Sequence, residues 1–205
     1  MKIVGVGLNK TGTTTLGVCL KYWGLKHLSC HAEAFEAWRR KDLDEVLEWV
    51  ARHDSFEDWP WPMLYREIDR AFPGTKFILT RRKDAETWFK SLCAHAERTG
   101  PTRYREVIYG HAMPHRHRAQ CIRIYHSHNQ AVRDYFHNRP QDFLEVCWEE
   151  GDGWDELAKF LGFPRPSLPF PHANRSPGPW NRWVNRLRRV QGMLSRFSTT
   201  EGRSL

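Results

Sequence analysis

The chain of 205 residues is short of several things, and each shortage narrows what it can do. No apolar run approaches the ~18 residues that a bilayer-spanning helix requires, which excludes a helical membrane span. Met1 leads straight into the apolar segment KIVGVG with no leader before it, so a cytoplasmic protein is expected. The five cysteines, Cys19, Cys30, Cys93, Cys121 and Cys147, include no C-x-x-C pair. An odd, unpatterned set argues against a disulfide framework and against a zinc site, and predicts buried free thiols. Acids are scarce at one end. Beyond Asn174 there are seven arginines and a single acid, Glu201, so that this segment carries +6 of the formal net charge of +8. A nucleic-acid-binding domain spreads its basic footprint over the fold, and the +2 left for the rest of the chain is too little for that. Internal repeats and low-complexity tracts are also missing.

What is present is the composition of one soluble domain: 40% hydrophobic and 27% charged residues. Ten tryptophans predict a core and a cleft rich in large flat side chains. MKIVGVG reads as a buried strand, and TTTLGVCLKYWG as a helix stopped by Gly24. AEAFEAWRR and LDEVLEWVARH are amphipathic helices, the second capped by Asp42. DSFEDWPWP reads as a loop, because its prolines and polar residues break both periodicities. A short helix, MLYREIDRAF, precedes a second strand, KFILTRR, and a helix, DAETWFKSLCAHAER. After a mixed stretch over 102–115 come a long helix within 117–138, a third strand, DFLEVCW, and the helix GWDELAKFLG, closed by Gly162. Strands alternating with helices predict an α/β fold: a three-layer sandwich with a mainly parallel central sheet and helices on both faces.

The stretch VGLNKTGTTTL carries the chemistry. A strand, a glycine loop and a helix form a phosphate cradle, in which backbone N–H groups and the positive helix end face an anion. Gly7 and Gly12 stand where a nucleotide-binding G-x-x-x-x-G-K-[ST] loop has its glycines, but Thr13 replaces its lysine, and the lysine, Lys10, lies inside the loop. KFILTRR ends in cations where an NTPase places a magnesium-binding aspartate. A triphosphate–magnesium enzyme is therefore disfavoured; a kinase is the alternative enzyme, and a non-catalytic nucleotide-binding module of the same fold is a further alternative.

NKTGTTTL resembles the 5′-phosphosulfate-binding loop of the sulfotransferases that use 3′-phosphoadenosine-5′-phosphosulfate (PAPS), with Lys10, Thr11, Gly12, Thr13 and Thr14 on the family positions. FEDWPWPMLYREIDRAFPGTKFILT and LEVCWEEGDGWDELAKFLGFPRPSLPFPHANRS are similar to a short bacterial-type subgroup, and together the likeness covers most of residues 3–175. The resemblance implies a P-loop fold over 1–175, with 176–205 as a basic amphipathic C-terminal helix and tail. It implies PAPS as donor, adenosine 3′,5′-bisphosphate as product, and no metal. Lys10 would bond the bridging oxygen as the sulfuryl group leaves, and Thr15 would add a hydroxyl near the helix start. A strand-end arginine and a helix serine grip the 3′-phosphate in the family. Here these are Arg82 and Ser91, with Arg81 and Lys83 as alternatives to Arg82. Asn174 and Arg175 are placed on the nucleotide by analogy with a late loop. Many relatives take the acceptor's proton with a histidine; Asp58 falls in that place, with Glu57 next in line and His31 and His53 as further candidates.

The acceptor is expected to be a small molecule or a glycan- or lipid-linked group, shaped by residues 95–140. His111, His115, His117, His126 and His128 do not have metal-ligand spacing, and interleaved arginines would repel a cation. The C-terminal helix, with Trp180, Trp183, Leu187, Val190, Leu194 and Phe197 at helical steps, could dock on its own domain, pair subunits in a homo-oligomer, or lie on an anionic membrane surface.

Overall fold

A computed structural model describes residues 1–171. The first strand, β1 (Ile3–Gly5), is buried on both faces and leads through the glycine loop into α1 (Thr13–Tyr22). Gly24, at φ +80°, ends that helix as its sequence predicts. Two short strands follow at a distance: β2 (His27–Leu28) and β3 (Ser55–Phe56). Between them lie α2 (Ala32–Arg40) and α3 (Leu43–Ala51), the latter capped by the Asp42 carboxylate, which accepts the Glu45 N–H at 3.1 Å. A 3₁₀ turn at Trp61–Met63 and α4 (Tyr65–Ala71) connect to β4 (Lys76–Thr80).

Asp84 then caps α5 (Ala85–Thr99), accepting the Thr87 N–H at 2.6 Å. Thr102 caps α6 (Arg103–Tyr109), within the stretch of mixed sequence character. The long helix α7 (Arg118–Phe136) leads to β5 (Phe143–Val146), and α8 (Trp154–Leu161) ends at Gly162 with φ +70°.

The five strands form one sheet in the order β2-β3-β1-β4-β5, and every pair is parallel. Leu16, Leu20, Trp154 and Leu157, from α1 and α8, cover one face. The other is covered by side chains of α2, α3, α4 and α7 around Val4, Val6, Phe77 and Leu79. The predicted α/β sandwich is therefore the observed one. The sequence reading is corrected at β2 and β3. A strand of this length has no periodicity to read, and DSFEDWPWP contains one only because Ser55 and Phe56 pair with Ile3 and Val4 of β1. A third cluster, with Leu8, Trp59, Trp88, Leu92, Tyr109 and Tyr125, roofs the carboxyl ends of the strands. Ligands of open parallel sheets bind at those ends.

Among the described residues no helix is long and apolar enough to cross a membrane. Asn174, Arg175, the boundary at 175/176 and the basic C-terminal helix lie outside the described residues.

Candidate active site

The glycine loop is held from outside by its carbonyls. Trp88 donates its indole N–H to the Asn9 carbonyl at 3.0 Å, and Trp148 donates to the Gly12 carbonyl at 3.2 Å. The His128 ring bonds the Val6 carbonyl at 2.7 Å, and the Tyr109 hydroxyl donates to the Asn9 side chain at 2.6 Å. With these oxygens engaged, several loop N–H groups are left without an acceptor from the described residues. Among the described residues nothing accepts the N–H of Lys10, Gly12, Thr13 or Thr14. Lys10 (φ +71°) and Gly12 (φ +96°) adopt left-handed conformations within this loop. Gly12 is required twice over, since a Cβ there would overlap the Trp148 indole. Gly7 is equally constrained, because a Cβ would overlap Thr80.

The resulting cleft, of about 90 Å³, is lined by Asn9, Lys10, Gly12, Thr13, Thr14, Asp58 and His95. The structure thus brings together Lys10, Gly12, Thr13, Thr14 and Asp58 as the sequence predicts. Thr11 has another role. Its hydroxyl is fully buried, donates to the Leu8 carbonyl at 2.7 Å and lies 2.7 Å from the Thr80 hydroxyl, so it shapes the loop from below instead of facing a ligand. Thr15 is buried in the first turn of α1, its N–H bonded to the Gly12 carbonyl at 3.0 Å.

Electrostatics separate the two neighbouring carboxylates. Glu57 is only 3% exposed. Burial opposes its ionisation, but the His27 ring 3.6 Å away, the Ser29 hydroxyl that donates to it and the nearby Thr13 hold its carboxyl below the usual range. It does not line the cleft. Asp58 does, in a left-handed conformation (φ +64°) that an aspartate tolerates. Burial, reinforced by the Glu57 charge, pushes its carboxyl up to about 7, against the pull of the Trp59 N–H and Lys10. A carboxylate with that value is matched to proton transfer near neutrality. Lys10 is lowered from the ordinary lysine value, first by burial and then by the Arg98 charge; Asp58 opposes this and Arg82 adds to it. His31 and His53 are engaged elsewhere. His31 caps α2 and packs on Trp49 with centroids 4.3 Å apart, and His53 bonds the Trp49 carbonyl at 3.0 Å.

At the end of β4 the structure distinguishes three cations. Arg81 is paired with Glu145 at 2.8 Å and Glu150 at 2.5 Å, which ties the sheet edge together. Lys83 is exposed, with its backbone N–H on Glu149. Arg82 pairs with Glu149 at 3.0 Å through one nitrogen, while its Nε is buried with no partner. A buried orphaned donor is costly unless a ligand satisfies it. Ser91, on α5, is half-buried and its hydroxyl makes no hydrogen bond among the described residues. Neither Arg82 nor Ser91 lines the small cleft itself.

His95 is a cleft residue that the sequence reading overlooked. Burial, then the charges of Lys10, Arg105 and Arg98, push its imidazole down to about 4, so it is neutral at physiological pH and able to accept a hydrogen bond. The signal was present in its i+4 spacing from Ser91, which puts both on one side of α5. The position of Trp148 over Gly12 had no such signal, because the two are brought together only by the fold.

Residues 2–178 match the family model described as the sulfotransferase domain. A protein of Aspergillus versicolor, "Ava biosynthesis cluster protein M", is 26% identical over 237 aligned positions, covering 90% of this chain and 88% of that protein. With a family model spanning nearly the whole described fold and the glycine loop it contains, the chain belongs to the sulfotransferase domain family.

Proposed function

We propose that this sulfotransferase uses PAPS as donor and moves its sulfuryl group to a hydroxyl or amine of a small-molecule, glycan or lipid-linked acceptor. The observation that carries the reading is the single cleft in which unpartnered loop N–H groups, Lys10 and Asp58 converge. The residues fit a nucleotide with phosphates at both ends. The loop N–H groups and the start of α1 suit the sulfated 5′-phosphate. The orphaned Arg82 Nε and the open Ser91 hydroxyl suit the 3′-phosphate. Bound PAPS would supply the activated sulfuryl group.

The chain's residues then divide the work. Asp58 takes the proton from the acceptor as the acceptor's oxygen or nitrogen bonds to sulfur. Lys10 and the loop N–H groups stabilise the charge that develops on the bridging oxygen as its bond to sulfur breaks. His95, neutral beside Lys10, accepts a hydrogen bond from the acceptor and holds it in line.

The test is adenosine 3′,5′-bisphosphate binding without magnesium. At a concentration ~100 times its Kd, a ligand selective for the folded state adds about 2.7 kcal/mol, which for a chain of this size raises Tm by roughly 5–10 °C. ATP should give a much smaller shift, and radiolabelled sulfate should pass from PAPS to members of an acceptor library. One observation favours a kinase instead: the buried Glu57 carboxylate lies against the first turns of α1, close to Thr13, near where magnesium-phosphate enzymes keep an acid. A larger shift with magnesium and ATP than with the bisphosphate would adopt that reading.

A further inference from the structure

The sulfotransfer reading leaves the acceptor unassigned, and a second cavity bears on it. An open groove of about 530 Å³ runs along α7, with Arg123, Ile124 and His128 on one wall. Leu8, Met63, Ile108, Gln120 and Ser127 complete the lining. Its volume is that of ordinary small-molecule sites. The stripe of α7 that lines it is half-buried at Ile124 and His128 and exposed at Arg123 and Ser127, while the opposite stripe, with Cys121, Tyr125, Val132 and Phe136, is buried in the core. Leu8 belongs to the glycine loop and precedes Lys10 by two positions, so their Cα atoms lie within roughly 7 Å of each other. Met63 similarly follows Asp58 by five positions. The groove and the cleft therefore border the same glycine loop, each with its own set of lining residues.

The lining states what kind of molecule fits. Leu8, Met63, Ile108 and Ile124 are aliphatic. Arg123 is exposed and pairs with no acid among the described residues. The His128 Nε2 faces the Val6 carbonyl, which can only accept, so Nε2 carries the proton and Nδ1 of the neutral ring is an acceptor.

We propose that this groove binds the acceptor, and that the acceptor is a hydroxyl-bearing, mainly aliphatic amphiphile whose far end carries a carboxylate or similar small anion held by Arg123. The proposal rests on the sulfotransfer reading. In transfer the acceptor hydroxyl gives its proton to Asp58 and gains the bond to sulfur, while the bond from sulfur to the phosphate oxygen breaks; the groove residues change no bonds. The basic segment beyond residue 171 is a poor rival occupant, since its arginines would face Arg123.

The test is calorimetric titration of the full chain with 10-hydroxydecanoate and with 10-hydroxydecanamide, in the presence and absence of adenosine 3′,5′-bisphosphate. The carboxylate should bind about tenfold more tightly than the amide, the effect of one charge-assisted contact. Arg123→Gln should abolish that preference and keep amide binding, and Ile124→Trp should weaken both probes by filling the groove. Both variants should bind the bisphosphate like the wild type, which also shows that they fold. Equal affinity for the two probes, a preference that survives Arg123→Gln, or binding that appears only after deletion of residues 172–205 overturns the proposal. Failure of the bisphosphate to bind, with the carboxylate preference intact, sinks the donor assignment and supports the groove. Loss of both probes with bisphosphate binding retained sinks the groove and spares the donor site.

Discussion

The glycine loop and the α7 groove lie side by side and are made of different material. In the loop the recognising groups are backbone N–H donors, fixed because Trp88, Trp148 and His128 tie down the neighbouring carbonyls. In the groove they are side chains: an exposed guanidinium and aliphatic surface with no fixed partner. A backbone cradle depends on chain shape, and so on a few glycines and a short local sequence. A side-chain groove depends on which helices happen to face each other. On the proposed reading the donor half of the site is accordingly rigid and stereotyped, and the acceptor half can vary without disturbing the fold.

This contrast can be broken or sharpened by experiment. The largest effect is expected from Asp58→Asn, which removes the base and should lower kcat by about 10²–10⁴. In the wild type kcat/KM should rise with pH through about 7, as Asp58 loses its proton, and the variant should be flat there. A wild-type profile flat between pH 5 and 9 would remove Asp58 from the role of base. Next comes Lys10→Ala, with an expected loss of about 10²–10³ in kcat and a smaller loss in bisphosphate affinity. Turnover at the wild-type rate would show that the leaving oxygen is stabilised elsewhere.

Arg82→Ala should mainly weaken bisphosphate binding, by about tenfold or more, with kcat at saturation little changed. The same substitution at Arg81 should instead lower Tm, because it removes the bridge between Glu145 and Glu150 at the sheet edge. If the two variants behave alike, the division between a ligand-gripping and a structural arginine is wrong. The smallest effect is on stability. Asp58 has its carboxyl raised in the folded state, so its contribution is most favourable below the unfolded value near 4 and is lost as pH rises through about 7. Asp58→Asn should therefore be more stable than the wild type at pH 8, with a smaller gain at pH 5. Denaturant titrations at the two pH values measure this, and an equal gain at both would mean the carboxyl is not held protonated by burial.

Legibility followed the same division. Lys10, Gly12, Thr13 and Thr14 were readable because their spacing is local and the loop's function needs that spacing. Asp58 was readable as a candidate only through its position, since nothing in FEDWPWP tells it apart from Glu57. Packing separates the two, by enclosing Glu57 with Ser29 and His27 and leaving Asp58 at the cleft. The choice of Arg82 over Arg81 likewise depends on where Glu145 and Glu150 lie, on a strand and turn distant in sequence. His95 was missed because its low value is set first by burial and then by Lys10, Arg105 and Arg98, which converge from three separate segments.

By itself the sequence determined the alternation of strands and helices, the helix caps at Asp42 and Gly162, and the strand–glycine loop–helix unit with its internal lysine. All of these are written in contiguous residues, where periodicity and backbone preference act. Only the tertiary structure decided the strands at 27–28 and 55–56, the shifted proton affinities of Asp58 and His95, the arginine at the end of β4 with an Nε unpartnered among the described residues, and the groove beside Leu8. Those depend on desolvation and on charges contributed by distant segments, and neither exists until the chain has folded.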